Sequence, residues 1–479
     1  MANEGQPVER LRDYLRTLTP AARAMLVHEL ERSMLRGDDS AGNDLILQEL
    51  RRTIRADSQP TPRIGDTARL FFAPLEPFLI DAAADHKRIG RIARLSLEPI
   101  WAWIGRDLIP AEAKAMGEDI GRALSAREQA RADQLVRALQ DRALQRMQET
   151  IAAVASDERA RRRLGVHVGT PRAVEDLTTL IAIFSLRDML ADLARRLPNQ
   201  IRAFEAGQVE SIKSLLDTAV TQCSIDASGS AKSDILLYGL ILVVNRLAAP
   251  WQLIRIAIRA ADSDDTARIG ATPYAAAVGI VLGDTEAMVR EVRTELKSGR
   301  PIASMLKAIH DAARGLRTEM ELSVDSPWSR QLAAIRADIS GLLKAEIETT
   351  PGCVRRLLRP RPAKEIAPGS VLDAVDVSDA ENRVEVVDAC RHYANELAVN
   401  EVTTRAHSEL SLYLETGTKV LLDSIRHAGD ADRPFRQSQV EAAIRFCRTI
   451  FGAEYAGLLA KAAEVAAQTA AGERKSARA

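Results

Sequence analysis

The sequence predicts an all-α protein, a multi-helix chain forming an elongated or multi-subdomain bundle with long amphipathic helices. Three observations carry this expectation. Apolar residues make up 46% of the chain but aromatics only 4%, so the packing surface is mainly aliphatic, which suits helices better than sheets. Thr-Pro and Ser-Pro pairs recur at 19–20, 170–171, 272–273 and 326–327, each reading as an N-cap followed by proline at the first helical position. The segments behind them carry apolar residues at three- and four-residue spacing, and no strictly alternating run or Asn-Gly hairpin turn competes with them.

At 479 residues the chain exceeds one ordinary core and predicts about two to four domains or subdomains. Residues 1–56 read as a cap of three short helices, followed by a proline-bearing connector that opens an aromatic segment over 57–110. A central helical region spans 111–348. It begins with one long helix from Ala111 to about Leu164, striped by Met116, Ile120 and Leu124, then Leu135, Leu139, Ala143, Met147 and Ile151. Within this region, Ile235–Val244 (ILLYGLILVV) is the most apolar run. It is too short to cross roughly 30 Å of hydrocarbon, so it predicts a buried core helix. The stretch TTPGCVRRLLRPRPAKEIAPGS (349–370) is basic and proline-rich and reads as a linker. Two long helical stretches, a C-terminal pair, occupy 371–467, with a loose tail over 468–479.

Lys plus Arg equals Asp plus Glu, 66 of each. A balanced chain has no global pull toward nucleic acid or an anionic membrane, so any such attraction must come from a local patch. The four cysteines, Cys223, Cys353, Cys390 and Cys447, are widely spaced and form no CxxC. Neither a disulfide framework nor a zinc site is suggested. The first residues, MANEGQPVERLRDYL, are polar, so no secretory leader is expected. Free thiols and the absence of a leader predict a cytoplasmic protein, with attachment to the inner membrane surface as an alternative. The Arg- and Ala-rich, Lys-poor style is that of a GC-rich bacterial genome.

Four stretches are candidate sites. Phe71, Phe72, Phe78, Trp101 and Trp103 crowd one segment, and between them lies HKRIGRIARLSL. Read as a helix, it puts Lys87, Arg91 and Arg94 on one face. Basic residues flanked by Trp and Phe suit a protein docking site, where Trp and Arg dominate hot spots. They also suit a helix lying in a membrane interface. The third reading is a plug for the core. A second candidate is the basic set Arg355, Arg356, Arg359, Arg361 and Lys364, which could contact phosphates but has no interleaved aromatic for base stacking. A companion run, Arg159 and Arg161–Arg163, reads as cations at a helix C-terminus.

The third candidate is a weak metal-like stripe. Asp388, His392 and Glu396 lie at i, i+4 and i+8 on one expected helix face, with donor types suitable for zinc or iron. The ordinary reading is a polar face with local pairing. The fourth, Asp38–Glu49, resembles a calcium loop but has glycine at the fifth place rather than the sixth, and Ser40 and Gly42 where ligands belong. There is no GxxxxGK[ST], GxGxxG, HExxH or GxSxG, and no cofactor is implied. The expected function is therefore a non-catalytic helical adaptor or scaffold acting on protein partners, a second copy among them. The alternatives are a peripheral membrane protein using residues 86–106 and a nucleic-acid binder using the basic linker.

Overall fold

A computed structural model describes residues 66–81, 88–170, 172–205, 207–223 and 230–478, together with 26, 30 and 46. The expected cap over 1–56, most of the connector behind it, the calcium-loop-like stretch and Lys87 fall outside the described residues. The chain divides into two units, Met1–Leu70 and Phe71–Ala479.

Helix accounts for 80% of the structure, as the aliphatic composition requires. The short helix α1 (Asp66–Phe71) ends where the second unit begins, and a 3-10 turn (Ala73–Phe78) follows it. The strands β1 (Leu79–Ile80) and β2 (Ile92–Ala93) then pair in parallel. Next come α2 (Leu97–Trp103), a π-turn (Ile104–Leu108), α3 (Pro110–Ser125), α4 (Gln129–Val154) and α5 (Glu158–Val168). The central region continues with α6 (Ala173–Arg196), α7 (Gln208–Gln222), α8 (Ser230–Val244), α9 (Ile254–Ala261), α10 (Thr266–Gly270), α11 (Ala275–Lys297) and α12 (Ala303–Glu319). The last five helices are α13 (Pro327–Leu358), α14 (Ala374–Leu397), α15 (Asn400–Arg426), α16 (Arg433–Phe451) and α17 (Ala453–Arg478).

Several boundaries differ from the sequence expectation, each for a local reason. The single helix expected over 111–164 is three. Arg127 takes a left-handed φ of 59° between α3 and α4, and the Asp157 carboxylate caps α5 by accepting from the backbone N–H groups of Arg159 and Ala160. The first ten residues of the expected linker are helix. α13 runs through Pro351 to Leu358. Its apolar stripe does not stop at the proline: Ile347, Val354, Leu357 and Leu358 are all buried, and that packing offsets the ~3 kcal/mol an interior proline costs. The C-terminal pair is four helices, because Ala398 at φ 55° ends α14 and Gly452 at φ 92° ends α16. The tail expected to be loose is helical to Arg478.

Of the Ser/Thr-Pro pairs, Ser326 caps as expected, its hydroxyl accepting from Ser329 N–H at 3.0 Å. Thr272 instead donates to the Ile269 carbonyl, closing the preceding turn, and α11 starts later at Ala275. The Ile235–Val244 run is the buried helix it predicts, with Ile235, Leu240, Ile241 and Val243 fully enclosed. α13 acts as a spine, packing on α11, α14 and α15. Among the described residues no helix is long and apolar enough to cross a membrane.

Candidate functional site

The segment richest in sequence signals does not form the expected basic amphipathic helix. Residues 89–90 are a turn, 92–93 are β2 and 94–96 a 3-10 turn. Gly90 makes the turn possible, at φ +62°. That conformation is steric ground for glycine and interrupts a helix at its middle. Of the basic residues expected on one helix face, Arg91 and Arg94 therefore lie on no common helix.

The aromatics go inward. Phe71, Phe72, Phe78 and Trp103 are buried. The Phe71 ring lies 5.0 Å from Phe72, 5.2 Å from Trp101 and 5.2 Å from Phe184 of α6, while Phe78 meets Tyr238 of α8 edge-on at 5.4 Å. Trp101 is half-buried. These rings fill the core between the segment and α6–α8, so the docking face expected from them is already covered within the chain. The same burial takes Phe71, Phe72, Phe78 and Trp103 off the surface, while Leu95 and Ile89 of the segment stay exposed.

The arginines are held by acids of the same chain. Arg94 is pinned in the open: Nε donates to Asp81 at 3.0 Å and both terminal nitrogens to Glu76 at 3.1 and 3.0 Å. The Glu76 hydrogen bonds raise its pKa above the ordinary arginine value. Arg91 is buried, and Nη1 donates to Asn245 Oδ1 at 2.8 Å. Asn245 in turn donates through Nδ2 to the Pro77 carbonyl at 2.6 Å. Arg88 pairs with Glu291 of α11. Between the two guanidiniums sits Asp284 of α11, 4.0 Å from Arg88 and 3.9 Å from Arg91. The intervening Ile89 lies across Gly279 and Gly283, where an added Cβ would come within 3.7 Å of its Cδ1. Residues 88–91 thus form a strap seated in a shallow track between α8 and α11.

This charge cluster is expensive. Burial pushes the Asp284 carboxyl above the ordinary aspartate value, against the pull of Arg91 and Arg88. Burial likewise lowers the Arg91 guanidinium, although Asp284 acts the other way. The Nε atoms of Arg88 and Arg91 are buried with no hydrogen-bond partner among the described residues. Desolvation therefore outweighs attraction, as happens when a buried ion pair lacks direct hydrogen bonds. Perturbed groups with defined charge partners concentrate at functional sites, and this constellation brings two of them, Asp284 and Arg91, together. Only Arg91 among its members stands out in the sequence. Asp284, Glu291 and Asn245 come from elements far along the chain, and the small-residue spacing Gly279–Gly283 was the available signal of close approach.

The other candidates are drawn into internal contacts. Arg355 pairs with Glu409 at 3.0 Å and lies over the Tyr413 ring; Arg361 stacks on Phe435 at 5.0 Å. Arg356, Arg359 and Lys364 are exposed. The basic set is thus split between packing and solvent, and is not a flexible arm. Members of the weak metal-like stripe have other surroundings. Glu396 is taken by Arg317, whose Nη1 lies 3.0 and 2.9 Å from its two oxygens. His392 is exposed with its ring 6.3 Å from Tyr393. Among the described residues no group of three donors could hold a metal ion. A shallow depression of about 280 Å³ between α6 and α7 is rimmed by Asp188, Asp192 and Arg196. Its acids are also paired, Asp188 with Arg137 and Asp192 with Arg195 and Arg196. No family model matches the chain, and no curated protein or solved structure matches it either.

Proposed function

We propose that this protein is a non-catalytic helical adaptor or scaffold that acts by binding segments of other proteins. The observation that supports this is the strap itself: a tight turn, closed by the Arg91 N–H donating to the Arg88 carbonyl at 3.2 Å, is held against two helices by partly desolvated charges, with Ile89 left 47% exposed. A fold selected only for stability gains by replacing a desolvated ion cluster with apolar packing. A surface that recognises chain segments needs such groups, because charge complementarity confers selectivity and on-rate more than raw stability.

A photo-crosslinking residue at position 89 tests this reading, introduced in the cells that make the protein, with position 166 of α5 as the control. Val166 is 80% exposed and remote in sequence from the strap. Discrete intermolecular protein adducts are expected from 89 and not from 166. Equal adduct patterns from the two positions would contradict the reading.

A further inference from the structure

The occupant of a groove shows what chemistry the groove accepts. Arg88 reaches Glu291 at one end, and Arg91 reaches Asn245 and Asp284 at the other. Between them Ile89 crosses the glycine floor, and Gly90 passes so close to α8 that an added Cβ would stand 2.4 Å from Ile241 Cδ1. We propose that this track, formed by Asn245 just beyond the end of α8 and by Gly279, Gly283, Asp284 and Glu291 of α11, is a docking groove for an arginine–aliphatic–glycine–arginine segment of a partner protein, and that residues 88–91 occupy it in cis as an autoinhibitory strap. The inference rests on the adaptor reading and names both the partner chemistry and the regulation.

Three features make the strap a displaceable occupant. The contacts of Arg88 and Arg91 with Asp284 are at 4.0 and 3.9 Å, the outer limit of ion pairing. Two buried Nε–H donors go unused. Ile89 lies on its floor without being enclosed. A partner segment free to adjust its backbone can draw its guanidiniums into direct hydrogen bonds with Asp284, which are shorter and about twice as strong as neutral ones. The third position favours glycine because the backbone there holds φ +62°, with an added Cβ also meeting Ile241, which gives the groove a selectivity rule. Competition from the tethered strap acts at an effective concentration in the millimolar range, so the uninhibited groove is seen only when the strap is weakened.

The test uses the full chain and a fluorescein-labelled decapeptide with the sequence of residues 86–95, HKRIGRIARL, read by fluorescence anisotropy. Arg88→Ala weakens the strap and leaves the Arg91–Asn245–Pro77 relay in place. It is expected to bind the peptide at least tenfold more tightly than the unaltered protein. The same peptide with alanine at the glycine is expected to lose binding, and Glu291→Lys in the Arg88→Ala background to abolish it. Ile89→Ala trims a half-exposed side chain and is a milder second route to the same emptied track. A folded Arg88→Ala or Ile89→Ala protein with unchanged peptide affinity overturns the proposal. So does the loss of cooperative unfolding in both variants, which would make the strap part of the fold. Protein adducts from position 89 together with absent peptide binding would sink the strap inference and leave the adaptor reading standing. The absence of both would remove the two together.

Discussion

Phe71→Ala is expected to destabilise the protein by about 3–5 kcal/mol, the range for truncating a fully buried aromatic. Phe71 is 0% exposed, and its ring sits at the centre of Phe72, Trp101 and Phe184. Its carbonyl also accepts from Gln140 Nε2 of α4 at 2.8 Å, so the residue joins the aromatic segment to α4 and α6. Removing the ring leaves a cavity whose walls are themselves rigid rings and collapse poorly, which places the cost high in the range. Denaturant unfolding followed by tryptophan emission reads both consequences, since Trp101 loses its neighbour. A folded variant with unchanged midpoint would show that these rings belong to a surface rather than the core.

The second large effect is expected at Gly315 of α12. Alanine is the better helix former by about 1 kcal/mol, so a helix considered alone predicts a gain. The structure reverses the sign. A Cβ at this position would lie 2.3, 2.6 and 2.8 Å from three ring atoms of Trp251. That ring is not free to retreat: Arg255 stacks on it at 5.3 Å and is itself fixed by hydrogen bonds to Glu319. Overpacking of this kind costs about 1–3 kcal/mol. Gly315→Ala is expected at the upper end of that range, net of propensity, measured as the shift in unfolding free energy. A stabilised variant would mean that α12 and the Trp251 turn separate more easily than their packing implies.

The fold class was legible because it rests on periodicity, which is a local property. The stripe Ile120, then Leu139, Ala143 and Met147, is buried as its spacing demands, and so is the Ile235–Val244 run. Helix ends were less legible. Arg127 and Ala398 adopt left-handed backbone without being glycine, so nothing in their identity announces a break. Pro351 announces a break that does not occur, because the stripe on either side of it is continuous. The aromatic segment was visible as a feature, but its direction was not: Phe and Trp suit a core and a docking face equally, and only the rings of Phe184 and Tyr238, brought from distant helices, decide between them. The charge cluster was least visible of all. Its acids are ordinary members of a helix that reads as core, and their pairing with Arg88 and Arg91 is a product of tertiary structure.

The claim that the strap is held at a cost can be measured at Asp284. Its carboxyl is raised in the folded state by burial, so the folded chain binds that proton more tightly than the unfolded chain does. The stability contributed by the bound proton is fully present below the unfolded pKa, about 3.9, and is lost as pH rises through the folded value. At neutral pH the ionised side chain therefore subtracts from stability. The measurement is the unfolding free energy of the unaltered protein and of Asp284→Asn, from about pH 4 to about pH 8. The predicted result is a variant at least as stable as the unaltered protein at neutral pH, with its advantage shrinking as the pH falls through the folded pKa. A variant weaker by about 3–5 kcal/mol at neutral pH, the loss expected when a well-compensated buried pair is broken, would contradict it and make the cluster a structural clamp.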